Sequence, residues 1–163
     1  MRKRTLINFL ILFFYTQNVF ALSVVRVVDG DTIVLSNKKK VRMIGVDTPE
    51  IHDSQKLKKD IEETKESKEQ IQAMGLKAKI FTTSLLLKKT VKLKYEKKKT
   101  DRYGRTLAYV YLSDGSLVNE EIVRQGYGCA YTKFKFEMKN DFLKAESQAR
   151  REKLGLWPEI NCK

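Results

Sequence analysis

Cysteine, proline, histidine and glycine are all scarce in this 163-residue chain, at two, two, one and eight residues. Two cysteines exclude a disulfide-dense scaffold and a four-cysteine zinc site. So few prolines and glycines exclude fibrous and linker-rich architectures. Only one apolar stretch is long enough to discuss, which excludes a polytopic membrane protein. Acidic residues are the minority charge, 20 against 33 Lys+Arg, for a formal net charge of +13. What is present supports a core: 42% hydrophobic and 10% aromatic residues argue against wholesale disorder. The length suits one compact domain.

Arg2, Lys3 and Arg4 precede an uncharged, mostly apolar run from Leu6 to Phe20, and Val19-Phe20-Ala21 carries small residues at the −3 and −1 positions of a signal-peptidase site. This three-part pattern reads as a secretory signal over 1–21, with a mature domain over 22–163. The competing reading, an uncleaved anchor, asks for roughly 20 apolar residues. Cleavage would remove three basic and no acidic residues and leave 142 residues at +10. The protein is then expected to be exported, either secreted or periplasmic, with no stable membrane insertion afterwards. A basic exported protein can bind nucleic acid, an anionic cell surface or an acidic polymer, and charge alone does not choose among them. Export also implies an oxidising compartment, in which Cys129 and Cys162 can pair.

In the mature chain, Val24, Val25, Val27 and Val28 before the turn dipeptide Asp29-Gly30 read as a strand, with further strands at 32–35 and 41–46. Ten of the fifteen residues from Lys56 to Gln70 are charged, which marks a solvated helical extension or a mobile loop. Ile71, Met74, Ala78, Phe81 and Leu85 then recur on one helical face. Strands follow at 90–95 and 106–112, then a helix over about 117–125 stopped by Gly126. A last helix has Met138, Phe142, Ala145 and Ala149 on one face and ends before Gly155 and Pro158. Three strands, a helix, two strands and then helices predict an α+β fold, a five-stranded OB-fold β-barrel with three helices.

Two features carry chemistry. Asp31 follows a tight turn, and Asp47 and Glu50 flank Thr48-Pro49 at the end of the third strand. Adjacent strands of one meander can bring Asp31 and Asp47 together, and oxygen donors suit calcium or magnesium rather than zinc. The plainer alternative is a hairpin turn and a strand stop. Arg42 and Arg105 supply planar cations of the kind that neutralise charge on phosphoryl oxygens; each alone also reads as an ordinary salt bridge. His52 stands without a second His or Cys nearby and reads as a surface loop residue.

Three ordered blocks go further: Val28-Asp29-Gly30-Asp31-Thr32, Arg42-Met43-Ile44-Gly45-Val46-Asp47-Thr48-Pro49-Glu50, and Asp101-Arg102-Tyr103-Gly104-Arg105-Thr106-Leu107-Ala108-Tyr109. Together they resemble the signature blocks of the staphylococcal (micrococcal) nuclease, or thermonuclease, family, and the resemblance runs from about Val24 to Trp157. It implies an OB-fold endonuclease that hydrolyses DNA and RNA with calcium, with little sequence preference, and leaves 3′-phosphate ends. The substrate would be single-stranded or locally opened, and the protein a monomer. By the same resemblance, Asp31 and Asp47 look like calcium ligands, joined by the backbone carbonyl of Thr48. Glu50 is similar to the proposed general base, and Arg42 and Arg105 to the guanidinium pair on the scissile phosphate. Arg102 and Tyr103 look like phosphate contacts and Tyr131 like a wall of the base pocket. The segment between Glu50 and Gly75 is longer than in the best-known member, and Thr132 to Phe136 departs from its tyrosine-rich run.

Two other functions compete. A non-catalytic OB-fold nucleic-acid binder would be marked by loss of Asp31, Arg42, Glu50 or Arg105, and all four are present. A surface-adhesion protein needs only charge and gives no reason for these blocks.

Overall fold

A computed structural model describes residues 22–157 and 159–162; the expected signal segment 1–21 and the expected stop at Pro158 lie outside the described residues. The first strand, β1 (Leu22–Asp29), pairs antiparallel with β2 (Thr32–Leu35), and β2 with β3 (Lys40–Met43). The valines of β1 do not alternate in and out: Val24 and Val27 are both buried while Val25 and Arg26 face solvent. Register shifts at Val24/Arg26 and Val27/Asp29 account for this, since a bulge inserts a residue and sharpens the strand's twist. That twist lets β1 serve two neighbours, because its start also pairs with β5 (Thr90–Lys94). A further strand, β6 (Thr106–Tyr111), lies antiparallel to β5 and parallel to β3. The barrel closes in the order β1-β2-β3-β6-β5, which leaves no open edge. Ile33, Leu35, Val41, Met43, Tyr109 and Val110 fill it.

The expected strand 41–46 stops early. Gly45 adopts φ +79° and an added Cβ would meet the Phe136 ring at 2.7 Å, so the chain turns there as only glycine does cheaply. A separate two-residue strand, β4 (Val46–Asp47), then pairs with β7 (Cys129–Ala130), placing Asp47 opposite Cys129. Cys129 and Cys162 are joined in a disulfide with Cα atoms 5.4 Å apart. The bridge spans 33 positions, which on the chain-entropy model contributes about 3–4 kcal/mol. Reduction is therefore expected to lower the melting temperature measurably in a calorimetric scan; an unchanged transition would remove this contribution.

Among the described residues there are four helices rather than the three expected. Of the two alternatives for the charged segment 56–70, the structure has the helical one, broken at residues 65–67. The segment holds its own helix, α1 (Gln55–Thr64), ended by Lys65 in the left-handed region. The reason is local: the Ser54 hydroxyl accepts from the Leu57 amide, and buried Leu57 with Ile61 packs on a second apolar cluster containing Ile71, Met74, Leu156 and Trp157. Next, α2 (Lys68–Leu86) starts with a Ser67–Gln70 capping box. Its buried face includes Thr82, whose hydroxyl donates to the Gly30 carbonyl at 2.7 Å. The remaining helices are α3 (Val118–Arg124) and α4 (Lys139–Glu152). Fully buried Asn119 ties α3 to the sheet: its Oδ1 accepts from the Val110 amide, and its Nδ2 donates to the carbonyls of Ile44 and Ala108. The chain just before Asp47 is thereby fixed.

Candidate active site

The turn after β1, the segment after β4 and the start of α1 meet on one side of the barrel. Asp31 is buried, and its Oδ2 accepts from the backbone amide and hydroxyl of Thr48 at 3.1 and 3.2 Å. Its Oδ1 accepts from the Thr32 hydroxyl at 2.9 Å. Arg42, whose neighbours Val41 and Met43 point into the barrel, faces outward and forms ion pairs with Asp31 and, at 3.1 Å, with Asp47. A burial of this kind is tolerable because every charge has an opposite one beside it.

Beyond Asp47 the chain of charges continues through Lys56, in the first turn of α1. Its Nζ lies 3.5 Å from Asp47 Oδ1, 3.3 Å from Glu50 Oε1 and 3.3 Å from Asp60 Oδ2. It also donates to the Thr48 carbonyl at 2.9 Å. Burial works against this ammonium, but the carboxylates of Asp47, Glu50 and Asp60 outweigh it and hold the Lys56 pKa above its ordinary value. The other Glu50 oxygen accepts from the Ser54 hydroxyl at 3.2 Å. Behind Glu50, α2 comes in backbone to backbone: a Cβ on Gly75 would stand 2.7 Å from the Pro49 carbonyl oxygen and 2.8 Å from that of Glu50. Asp31, Arg42, Asp47, Thr48 and Glu50, five of the residues the sequence singles out, are thus gathered in one connected cluster.

Arg105 belongs to a second cluster. It directly precedes β6, which runs alongside β3 with Arg42 in register with Leu107. Arg42 and Leu107, paired across the two strands, share the outer face of the sheet. Asp101 organises the preceding loop by accepting from the backbone amides of Tyr103 and Arg105, each at 2.9 Å, and from Arg105 Nε at 2.6 Å. Burial raises the Asp101 pKa, but the hydrogen bonds from Arg105 and Tyr103 prevail and leave it below the usual aspartate value. Asp101 thus orients the Arg105 guanidinium through its Nε. Exposed Tyr103 accepts from Arg102 Nη2 at 2.6 Å, and its ring lies 4.8 Å from the Arg102 guanidinium and 5.5 Å from that of Arg105. Tyr131 stands apart from both clusters. Its amide donates to the Gly45 carbonyl, and its ring is 5.7 Å from that of Phe134 and 5.9 Å from Lys133 Nζ.

Lys56, Ser54 and Asp101 contact the candidate residues and were not singled out from the sequence. Lys56 was hidden in a run of charges that reads as solvated. Asp101 sits inside a recognised block but has no chemistry of its own until Arg105 is seen against it. Among the described residues, no three His, Cys, Asp or Glu side chains are grouped so as to hold a metal ion by themselves. The convergent donor set here includes a backbone carbonyl and surrounds an ammonium.

Comparison with known proteins places most of the chain beside one family. Residues 40–159 match the family model of the staphylococcal nuclease homologue domain. Thermonuclease of Staphylococcus hyicus is 36% identical over 138 residues, covering 82% of this chain and 73% of the relative. An uncharacterized endonuclease of Escherichia coli O157:H7 is 33% identical over 141 residues, covering 85% and 77%. An uncharacterized protein of Methanocaldococcus jannaschii is 38% identical over 149 residues, covering 82% and 70%.

Proposed function

The chain belongs to the staphylococcal nuclease family and is a nuclease, and from that premise we propose a calcium-dependent endonuclease acting on DNA and RNA with little sequence preference. The observation that carries this reading is the convergence of Asp47, the Thr48 carbonyl and Glu50 on one cation, with Asp31 one hydrogen bond away. Such a set of oxygens fits a hard divalent ion. Asp31, Asp47 and the Thr48 carbonyl would hold calcium. When bound, calcium supplies Lewis-acid polarisation of a phosphoryl oxygen.

The chain's own residues do the rest. Glu50, steadied by Ser54, takes a proton from the attacking water. The water oxygen forms a bond to phosphorus, the P–O5′ bond breaks, and the 5′-oxygen acquires its proton from solvent. Arg42 and Arg105 place guanidinium groups where charge builds on the phosphoryl oxygens. Arg102 and Tyr103 bind a neighbouring phosphate, and Tyr131 offers a ring face to a base, in keeping with the stacking by which single strands are held. Lysine runs at 38–40 and 97–99 add sequence-independent attraction to the polyanion. The protein works as an exported monomer after loss of residues 1–21.

End-group analysis tests the reading. Products of single-stranded DNA and RNA should carry 3′-phosphate and 5′-hydroxyl ends. Tight binding of both polymers with no products would instead favour a non-catalytic OB-fold binder.

A further inference from the structure

We propose that Lys56 is a resident cation of the proposed calcium site, so that calcium binds by displacing the lysine ammonium. The inference rests on the calcium reading above. Its basis is the position of one atom: Lys56 Nζ contacts Asp47, Glu50 and the Thr48 carbonyl together, and two of those three are the groups assigned to the metal. Arg42 already shares Asp47 Oδ1 with the ammonium, and a divalent ion among the same oxygens would add a repulsion that departure of Lys56 relieves, because like charges a few ångströms apart repel strongly wherever water is partly excluded.

The surroundings suit an exchange. Lys56 is held by a flexible four-carbon stem, which can swing outward without unfolding α1. Asp60, one turn along α1, is already 3.3 Å from the ammonium. It offers an anion that plays no part in the metal set and can keep Lys56 after it leaves. With the lysine seated, the mutual repulsion of Asp47, Glu50 and Asp60 is partly offset, and the metal-free protein does not carry a cluster of bare carboxylates. With calcium present, that role passes to the divalent ion. A site occupied by its own lysine most of the time binds calcium more weakly by the fraction of time it is vacant.

The test is calcium titration by calorimetry on the full folded protein, with Lys56→Gln and Lys56→Met compared with the wild type. Both variants should bind calcium at least about tenfold more tightly, and both should melt lower than the wild type when metal-free. In the wild type, an amine-reactive reagent read out by peptide mass spectrometry should label Lys56 faster at saturating calcium than in chelator. Wild-type calcium binding that is equalled or exceeded in Kd by both variants would overturn the displacement and leave the calcium reading standing. Failure of all three proteins to bind calcium would overturn both. Unchanged Lys56 labelling at saturating calcium would also overturn the displacement, as would chelator-resistant cleavage lost on Lys56→Gln, since the ammonium would then serve the phosphate.

Discussion

Replacing Glu50 by Gln is expected to lower single-turnover cleavage of single-stranded DNA by at least about 10²-fold, the usual scale of general-base catalysis. Glutamine keeps nearly the same shape and retains an oxygen to accept the Ser54 hydroxyl, now at 3.2 Å from Glu50. It loses the capacity to take a proton, together with the charge that faces Lys56. Nucleotide affinity should therefore change little, since Arg42, Arg102, Tyr103 and Arg105 are untouched. The backbone around Glu50 is fixed from behind by the close approach of Gly75, so the substitution has little room to rearrange the loop. A Glu50→Gln protein with near-normal turnover would leave the cation site intact and remove Glu50 from the chemistry.

Arg105→Ala is expected to cost about 10²–10³-fold in kcat, the range found when one preorganised donor to a developing oxyanion is removed. The structure gives the reason for so large an effect. Asp101 clamps Arg105 through its Nε and its backbone amide, so the outer edge of the guanidinium is oriented before substrate arrives and needs no reorganisation during reaction. The loss should appear in kcat and in kcat/KM together, the signature of an interaction realised in the transition state. An increase in KM alone, with kcat preserved, would make Arg105 an ordinary phosphate contact.

The elements that could be read from the sequence are those whose signal is local. The turn at Asp29-Gly30, the short alternating strands and the apolar stripe of α2 each announce themselves within a few residues, and together they define the barrel. The rest depends on contacts far apart in the chain. Gly45 breaks the third strand because Phe136 packs against it, and β4 forms because β7, over eighty positions later, pairs with it. Two-residue strands have no periodicity to detect. The same holds for Asn119, whose three bonds reach Ile44, Ala108 and Val110. In the site, the ordered blocks pointed to Asp31, Arg42, Asp47, Thr48 and Glu50, which lie together. Lys56 was illegible because nothing distinguishes it from the lysines at 58 and 59 until Thr48, Glu50 and Asp60 are seen around it.

Titration of wild-type single-turnover cleavage with calcium, run beside an excess of calcium chelator, is the most direct measurement of the central claim. With single-stranded DNA as substrate, cleavage should rise with calcium to a plateau and vanish in chelator. Asp47→Asn should need far more calcium to reach its plateau, since Asp47 is a proposed ligand whose formal charge supports the ion. Wild-type cleavage that persists undiminished in excess chelator would contradict the account.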